Sequence, residues 1–417
     1  MEAPDIGRER HLHDGLTVRT IGLADPGDLL SGLPSSPVSA WIHQGDGLVG
    51  WGEAARLTIP AGEDRFAAGE KWLAELFDAA RVTDEVQVPG TGPVAFGSFT
   101  FDPASDGSVL IVPAVVTGRR TGVAWRTTIS ASDATPVTVY STPVSPAEMR
   151  WSDGSLTAPQ WEQVVAAAVA RIKAGELHKV VLARDLQAYA SADIDIRVLL
   201  ARLAGRSPGC YTFACAGLVG ATPELLIQRD GRDVRSLVLA GTMARGGSKA
   251  DDEALAAALL GSAKNAEEHR YSVESVRDLL VPLCTELSVD SEPFLLQTAD
   301  YRHLATSVSG VLARDESALA LAASLHPTAA ICGTPTDVAL ELIRELERMD
   351  RGRYSGPVGW VDARGNGEWG IALRCGEIEG SRARLFAGGG IVAGSQPDAE
   401  LAETETKFRP MRRALEG

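Results

Sequence analysis

The apolar run in Leu177 to Asp185, LHKVVLARD, read with period two, puts His178, Val180, Leu182 and Arg184 on one face and Lys179, Val181 and Ala183 on the other. This period predicts a strand that carries one lysine amine on an otherwise apolar face. Just upstream the period is helical, with Trp161, Val164, Val165, Ala168 and Ile172 recurring at helical spacing. Thr157 with Gln160 three residues on makes a capping box, Pro159 lies in the first turn and Gly175 stops the helix. Residues 1 to about 150 are rich in Gly, Pro and Ser, with short β-like runs such as SVLIVPAVV (Ser108 to Val116) and one longer helical pattern, Glu63 to Arg81. Downstream, Asp251 to Leu287 is helical in pattern with a break near Pro282, and Ser317 to Ser324 and Thr336 to Arg348 predict two further helices. Pro357 to Phe386 reads as a three-stranded meander turning at Asn366-Gly367 and at Gly380. Strands follow strands and helices cluster separately, which predicts an α+β fold with antiparallel sheets in preference to a doubly wound parallel sheet. A polar, Pro-containing stretch, Ser132 to Ser155, marks a boundary near residue 150 between a β-rich region, 1–150, and a second region, 151–417.

Composition narrows the partners. With 417 residues, 45% of them hydrophobic, the chain can bury a large core. Its 40 Lys and Arg against 55 Asp and Glu give a formal charge of −15, which repels phosphate backbones and anionic lipid heads. Nucleic acid and membranes are therefore not expected partners, and an anionic small substrate would need a local cluster of positive charge. The five cysteines, Cys210, Cys215, Cys284, Cys332 and Cys375, form no C-x-x-C pair, which fits a reduced cytoplasm and not a zinc site. The opening MEAPDIGRERHLHDGLTVRT has no apolar core of a secretory signal, and no run of about 18 apolar residues occurs.

Candidate chemistry is sparse. No G-x-x-x-x-G-K-[ST] loop is present, and GRYSG misses the G-x-S-x-G elbow by one position. The glycine run AGGGIVAG (Ala387 to Gly394) reads either as a tight turn after a strand or as a row of backbone N–H groups facing an anion. Lys179 is either an edge-strand lysine or, if buried, an amine driven toward neutrality that can accept a proton. Glu224 in ATPELLIQ, beside Leu225 and Leu226, is either an exposed strand end or a buried carboxyl with the raised pKa of a general acid. Glu400, Glu403 and Lys407 share a helix face, and Glu267, Glu268 and His269 lie on another helical pattern. Carboxylates from two helices could hold Mg2+, with waters and a substrate carboxylate completing the octahedron; a solvated face with a Glu403 to Lys407 ion pair explains the same pattern. In EWGIALRC, the small Gly370 and Ala372 flank Arg374 on one strand face and leave room for a carboxylate ligand, or Arg374 is a plain surface arginine. His303 and His326 read as structural.

In chain order, GELHKVVLARD, ATPELLI, LAGTMARG, SAKNAEEH, SLHPTAAICGTP, RYSGPVGW, WGIALRCGE and AGGGIVAGSQPDAELAETETK resemble the chorismate-utilising enzymes, a family that includes isochorismate, salicylate, anthranilate and aminodeoxychorismate synthases. The resemblance covers residues 157 to 415 strongly and the first 150 weakly, through VAFGSFTFD (Val94 to Asp102). It implies one α+β fold of two stacked, mostly antiparallel sheets flanked by helices, with a Mg2+-dependent chorismate site between them. Position by position, it implies that Lys179 activates water at ring carbon 2 and that Glu224 protonates the departing 4-hydroxyl. Glu268 and Glu403 match Mg2+ ligands, with Glu400 close behind as a further ligand or water holder. Lys407 matches a lysine near the substrate carboxylates, and Tyr354, Arg374, Gly388 and Gly390 match contacts to those carboxylates. Family members that use ammonia carry Gln in place of Lys179. Ala330 falls where isochorismate synthases have Ala and where anthranilate and salicylate synthases generally have Thr; Met243 departs from the GTRPRG of ammonia users. The expectation is a cytoplasmic, monomeric isochorismate synthase without a glutaminase subunit. The alternatives are a salicylate synthase and a silent chorismate-binding paralogue, the latter suggested by Asn265 at a place usually held by Asp or Glu. Gly389 replaces the usual alanine of the glycine run.

Overall fold

The computed structural model describes residues 15–131, 138–146, 148–299 and 301–417. Most of the opening segment read for a secretory signal, and part of the Ser132 to Ser155 stretch, lie outside the described residues. Among the described residues the chain forms one sheet of 13 strands and one of 10. All pairings are antiparallel except that of Thr17–Leu23 with Arg81–Asp84. Strands from before residue 131 enter both sheets. Val38–His43 pairs with Tyr211–Cys215 in the larger sheet, and Val94–Ser98 pairs with Pro357–Asp362 in the smaller. The β-rich first region and the rest of the chain are thus woven into the same two layers.

Side chains from both sheets meet in one buried layer: Trp41, Trp125 and Phe213 come from the larger sheet, and Phe96, Ile111 and Trp360 from the smaller. Apolar area removed from water at about 25 cal/mol per Å² is the main force holding the two sheets face to face. Helices cover the outside. Ala158–Lys173 starts at the Thr157–Gln160 capping box, and its apolar stripe buries Trp161 and Val165 completely. No helix among the described residues is long and apolar enough to cross a membrane.

Three expectations are corrected. The Asp251 to Leu287 pattern breaks at Gly261, giving helices Lys249–Leu260 and Ala263–Leu280, because Ser262 caps a new helix by accepting the Asn265 N–H. Beyond the turn at Pro282 the chain becomes the strand Cys284–Val289. The three-stranded meander is four strands in two sheets: Pro357–Asp362 and Gly367–Ile371 lie in the smaller, Cys375–Glu379 and Arg382–Ile391 in the larger. The crossing occurs at Ala372 to Arg374, where Arg374 takes a φ of 50°, so Arg374 sits at a junction and not on a strand face. Finally, Gly388, Gly389 and Gly390 do not turn. They continue the Arg382–Ile391 strand, opposite Ala183, Leu182 and Val181, because an unbroken antiparallel register runs from Val180–Ile391 to Tyr189–Arg382.

Candidate active site

The strand Lys179–Tyr189 begins with its lysine side chain wholly buried, at 0% exposure. The edge-strand reading of Lys179 is therefore excluded. Its Nζ donates to Ser272 Oγ at 3.1 Å and lies 3.6 Å from Glu268 Oε1, and Ser272 Oγ donates in turn to the Glu268 carbonyl at 3.1 Å. Burial pushes the amine's pKa down, against the pull of the Glu268 and Glu224 carboxylates. Glu224 immediately precedes the strand Leu225–Asp230 of the smaller sheet and is 6% exposed. Burial pushes its carboxyl up to about 8 in spite of Lys179, Arg374 and Lys407. An amine and a carboxyl that both lean toward their neutral forms are thus held within electrostatic reach of one another.

Of the eleven residues singled out from the sequence, nine line one cavity of about 60 Å³: all except Lys179 and Glu400. Each of those two stands behind a glycine of the lining. A Cβ on Gly390 would lie 3.1 Å from Lys179 Cε, and a Cβ on Gly389 would lie 3.4 Å from Glu400 Oε2. Sheet pairing to Cys375–Glu379 ends at Leu385, so the second edge of the glycine stretch has no strand beside it among the described residues and faces the cavity. The space suits a few waters at roughly 10–15 Å³ each. A six-membered ring would require the lining side chains to part.

Positive charge is local. Lys407 Nζ donates to the Gly388 carbonyl at 2.8 Å and pairs with Glu403 Oε1 at 2.5 Å. Arg374 lies over the Tyr301 ring, 5.2 Å from its centroid, and its buried Nε has no hydrogen-bond partner among the described residues. A buried donor left unpaired costs about 1–3 kcal/mol, which an anionic ligand would recover. Tyr354 stacks on Phe386 at 5.0 Å, and burial pushes its phenol up to about 12, so it remains a donor at neutral pH.

Among the described residues no three His, Cys, Asp or Glu side chains converge on a preformed metal position. The expected ligands each face a lysine: Glu268 with Lys179, Glu403 with Lys407, and Glu400 with Lys264 at 2.5 Å. The donor set nevertheless fits Mg2+, which takes one or two carboxylates and completes its shell with waters and substrate oxygens. Glu400 Oε2 is buried without a hydrogen-bond partner among the described residues, and Glu400 Oε2 and Glu403 Oε1 stand 3.4 and 3.6 Å from the one point that a Gly389 Cβ would occupy. Burial and the neighbouring Glu403 push Glu400 up; burial also opposes ionisation of Glu403, but Lys407 prevails and holds it below its usual value.

His303 was missed. It lies on the strand Tyr301–Leu312, lines the same cavity, and bonds Thr242 Oγ1 through Nδ1 at 3.0 Å, while its buried Nε2 has no hydrogen-bond partner among the described residues. Burial lowers its pKa well below the ordinary value, so it is a neutral ring. The available signal was its i, i+2 placement with Tyr301, but no local pattern says that this face meets Arg374. His326 is structural as expected, with Nε2 on the Phe101 carbonyl at 2.9 Å.

Residues 109–416 match the family described as chorismate binding enzyme. The chain is 44% identical over 259 residues to the isochorismate synthase DhbC of Bacillus subtilis, an alignment that spans 59% of this chain and 65% of that protein. It is 34% identical over 402 residues to the isochorismate synthase MenF of the same organism, spanning 89% of this chain and 85% of that protein. Among solved structures, the menaquinone-specific isochorismate synthase MenF of Escherichia coli superposes with a TM-score of 0.79 at 25% identity, covering 98% of this chain and 97% of that one.

Proposed function

The chain belongs to the chorismate-binding enzyme family, and from that premise we propose that it is an isochorismate synthase working with Mg2+ bound in the cavity that Glu224 lines and that Lys179 backs, behind Gly390. The observation that carries this reading is the opposed drift of the two groups: the amine is pushed down and the carboxyl up, by the same burial. The two shifts favour an amine that can accept a proton and a carboxyl that can give one. Lys179 takes a proton from water as the water oxygen bonds to ring carbon 2. The ring double bonds shift, the bond from carbon 4 to its hydroxyl breaks, and Glu224 gives that hydroxyl its proton. One water enters and one leaves, so the reaction is an isomerisation.

Chorismate carries two carboxylates, and a protein of net charge −15 must bind them with local charge. Arg374, with an unpaired Nε, Lys407, Tyr354 and the open edge at Gly388 and Gly390 are placed to do so. Glu268, Glu403 and Glu400 would hold Mg2+, which when bound supplies Lewis-acid orientation of a substrate carboxylate. The lysine at position 179 supports water as the nucleophile, so no glutaminase subunit is required, and a monomer is sufficient because one chain supplies every residue of the cavity lining. Its five cysteines are all free, which favours a reducing compartment, the cytoplasm.

Incubating the purified protein with chorismate and Mg2+ tests the reading. Isochorismate without pyruvate is expected. Salicylate with pyruvate would refute the stopping point, and ligand-induced thermal stabilisation without turnover would refute the activity.

A further inference from the structure

We propose that the buried ion pair Arg351–Glu347 is a positioning device for this cavity: it completes the edge of the Lys179 strand where no neighbouring strand runs among the described residues. On that edge Gly333–Thr334 pairs only with Val180 and Lys179, and the next strand, Arg150–Asp153, begins only at Leu186. Between them the Val181 N–H reaches the Cys332 carbonyl at 2.7 Å, but no strand among the described residues meets the Val181 carbonyl or the Ala183 N–H. Instead Arg351 donates to the Val181 carbonyl at 2.7 Å, and Glu347 Oε1 accepts the Ala183 N–H, also at 2.7 Å. One donor and one acceptor at residues i and i+2 are what an adjacent strand would offer, and two charged side chains supply them here.

The same guanidinium reaches further. It donates to the Ile331 carbonyl at 3.0 Å, binds both Glu347 oxygens at 2.9 and 2.5 Å, and lies 4.2 Å from the centroid of the Phe101 ring. Arg351 and Glu347 are 3% and 1% exposed. Val181 and Ile331 line the cavity, Ile331 follows Ala330, and Val181 stands two residues from Lys179. The Arg351 carbonyl also accepts the N–H of Tyr354, another lining residue. One fork thus fixes three stretches of the wall relative to one another. A buried pair is weak evidence for stability as such, since well-packed apolar residues often replace one without loss. Apolar replacements here would leave the Val181 and Ile331 carbonyls and the Ala183 N–H without partners, and this favours a positional role.

The inference rests on reading the cavity as catalytic, which wild-type turnover in the same assay checks independently. Two variants test it. Arg351→Lys keeps the charge but cannot bridge both carbonyls and the carboxylate. Glu347→Gln with Arg351→Gln removes both charges and leaves no uncompensated one. Each is assayed well below its own thermal midpoint, with circular dichroism establishing that it is folded. The expected result is a fall in kcat of tenfold or more with KM changed less than about threefold, the loss being smaller in Arg351→Lys. A kcat within twofold of wild type in either folded variant would overturn the proposal. Failure of both to fold would assign the pair to folding and overturn it equally.

Discussion

Glu224→Gln keeps the size of the side chain and removes its acidic proton. In the folded protein burial moves this carboxyl from 4.5 to about 8, against the pull of Lys179, Arg374 and Lys407. About nine-tenths of it is protonated at pH 7 and about one-tenth at pH 9, so a reaction that needs the acid should lose rate through a limb near pH 8. The same shift affects stability. Below pH 4.5 the folded and unfolded chains both carry the proton. Between pH 4.5 and about 8 the unfolded chain releases it while the folded chain keeps it, so stability falls as pH rises through that window and is level above it. At about 1.36 kcal/mol per pH unit the full change is roughly 5 kcal/mol, comparable with the whole net stability of a small domain. Glutamine carries no such penalty. The variant should therefore lose on the order of 100-fold in kcat at pH 7, show no limb near pH 8, and gain thermal midpoint relative to wild type between pH 5 and pH 9. Isochorismate formation from pH 6 to 10, with melts at the same values, measures all three. A wild-type rate in the variant, or an unchanged limb near pH 8, refutes the assignment of Glu224 as the acid.

Lys179→Met keeps the unbranched stem without the amine; kcat should again fall on the order of 100-fold while the melting temperature at pH 7 holds or rises, because burial disfavours the charged amine it removes. A variant that retains activity would show that another group activates the water. Gly390→Ala would place a Cβ 2.1 Å from Glu268 Oε1 and 2.7 Å from its Cδ, so that carboxylate must move; a tenfold or greater loss of rate and a higher half-saturating Mg2+ concentration are expected from a Mg2+ titration, and unchanged values would separate Glu268 from the metal. Chelation by excess EDTA should stop isochorismate formation and added Mg2+ should restore it, whereas turnover that persists in EDTA would remove the metal from the reaction.

Periodicity and capping made several elements legible. The capping box at Thr157 and the two helices after Ser317 and Pro335 rest on interactions among near neighbours in the chain, and the apolar run after Lys179 marked a strand without naming its partner. The meander misled because a period of two says that a strand is present and not which sheet it joins. A single positive φ at Arg374 moves the chain from one sheet to the other. The glycine run misled for the converse reason: glycine permits a turn, but ten consecutive pairings with the Lys179 strand hold it extended.

The sequence by itself determined the family, because residue type and order along the chain are enough to match one, and with it the residues proposed to carry the chemistry. It also determined the class of fold, since alternation and helical spacing are local properties. Burial was decided only in three dimensions. Lys179 and Glu224 stand 45 positions apart in the chain, and neither has an unusual pKa until two different sheets close over them. Desolvation depends on every atom packed around a group, and those atoms come from strands and helices that no local pattern brings together. The unpaired ring nitrogen of His303 and the Arg351–Glu347 clamp became visible only at that level, for the same reason.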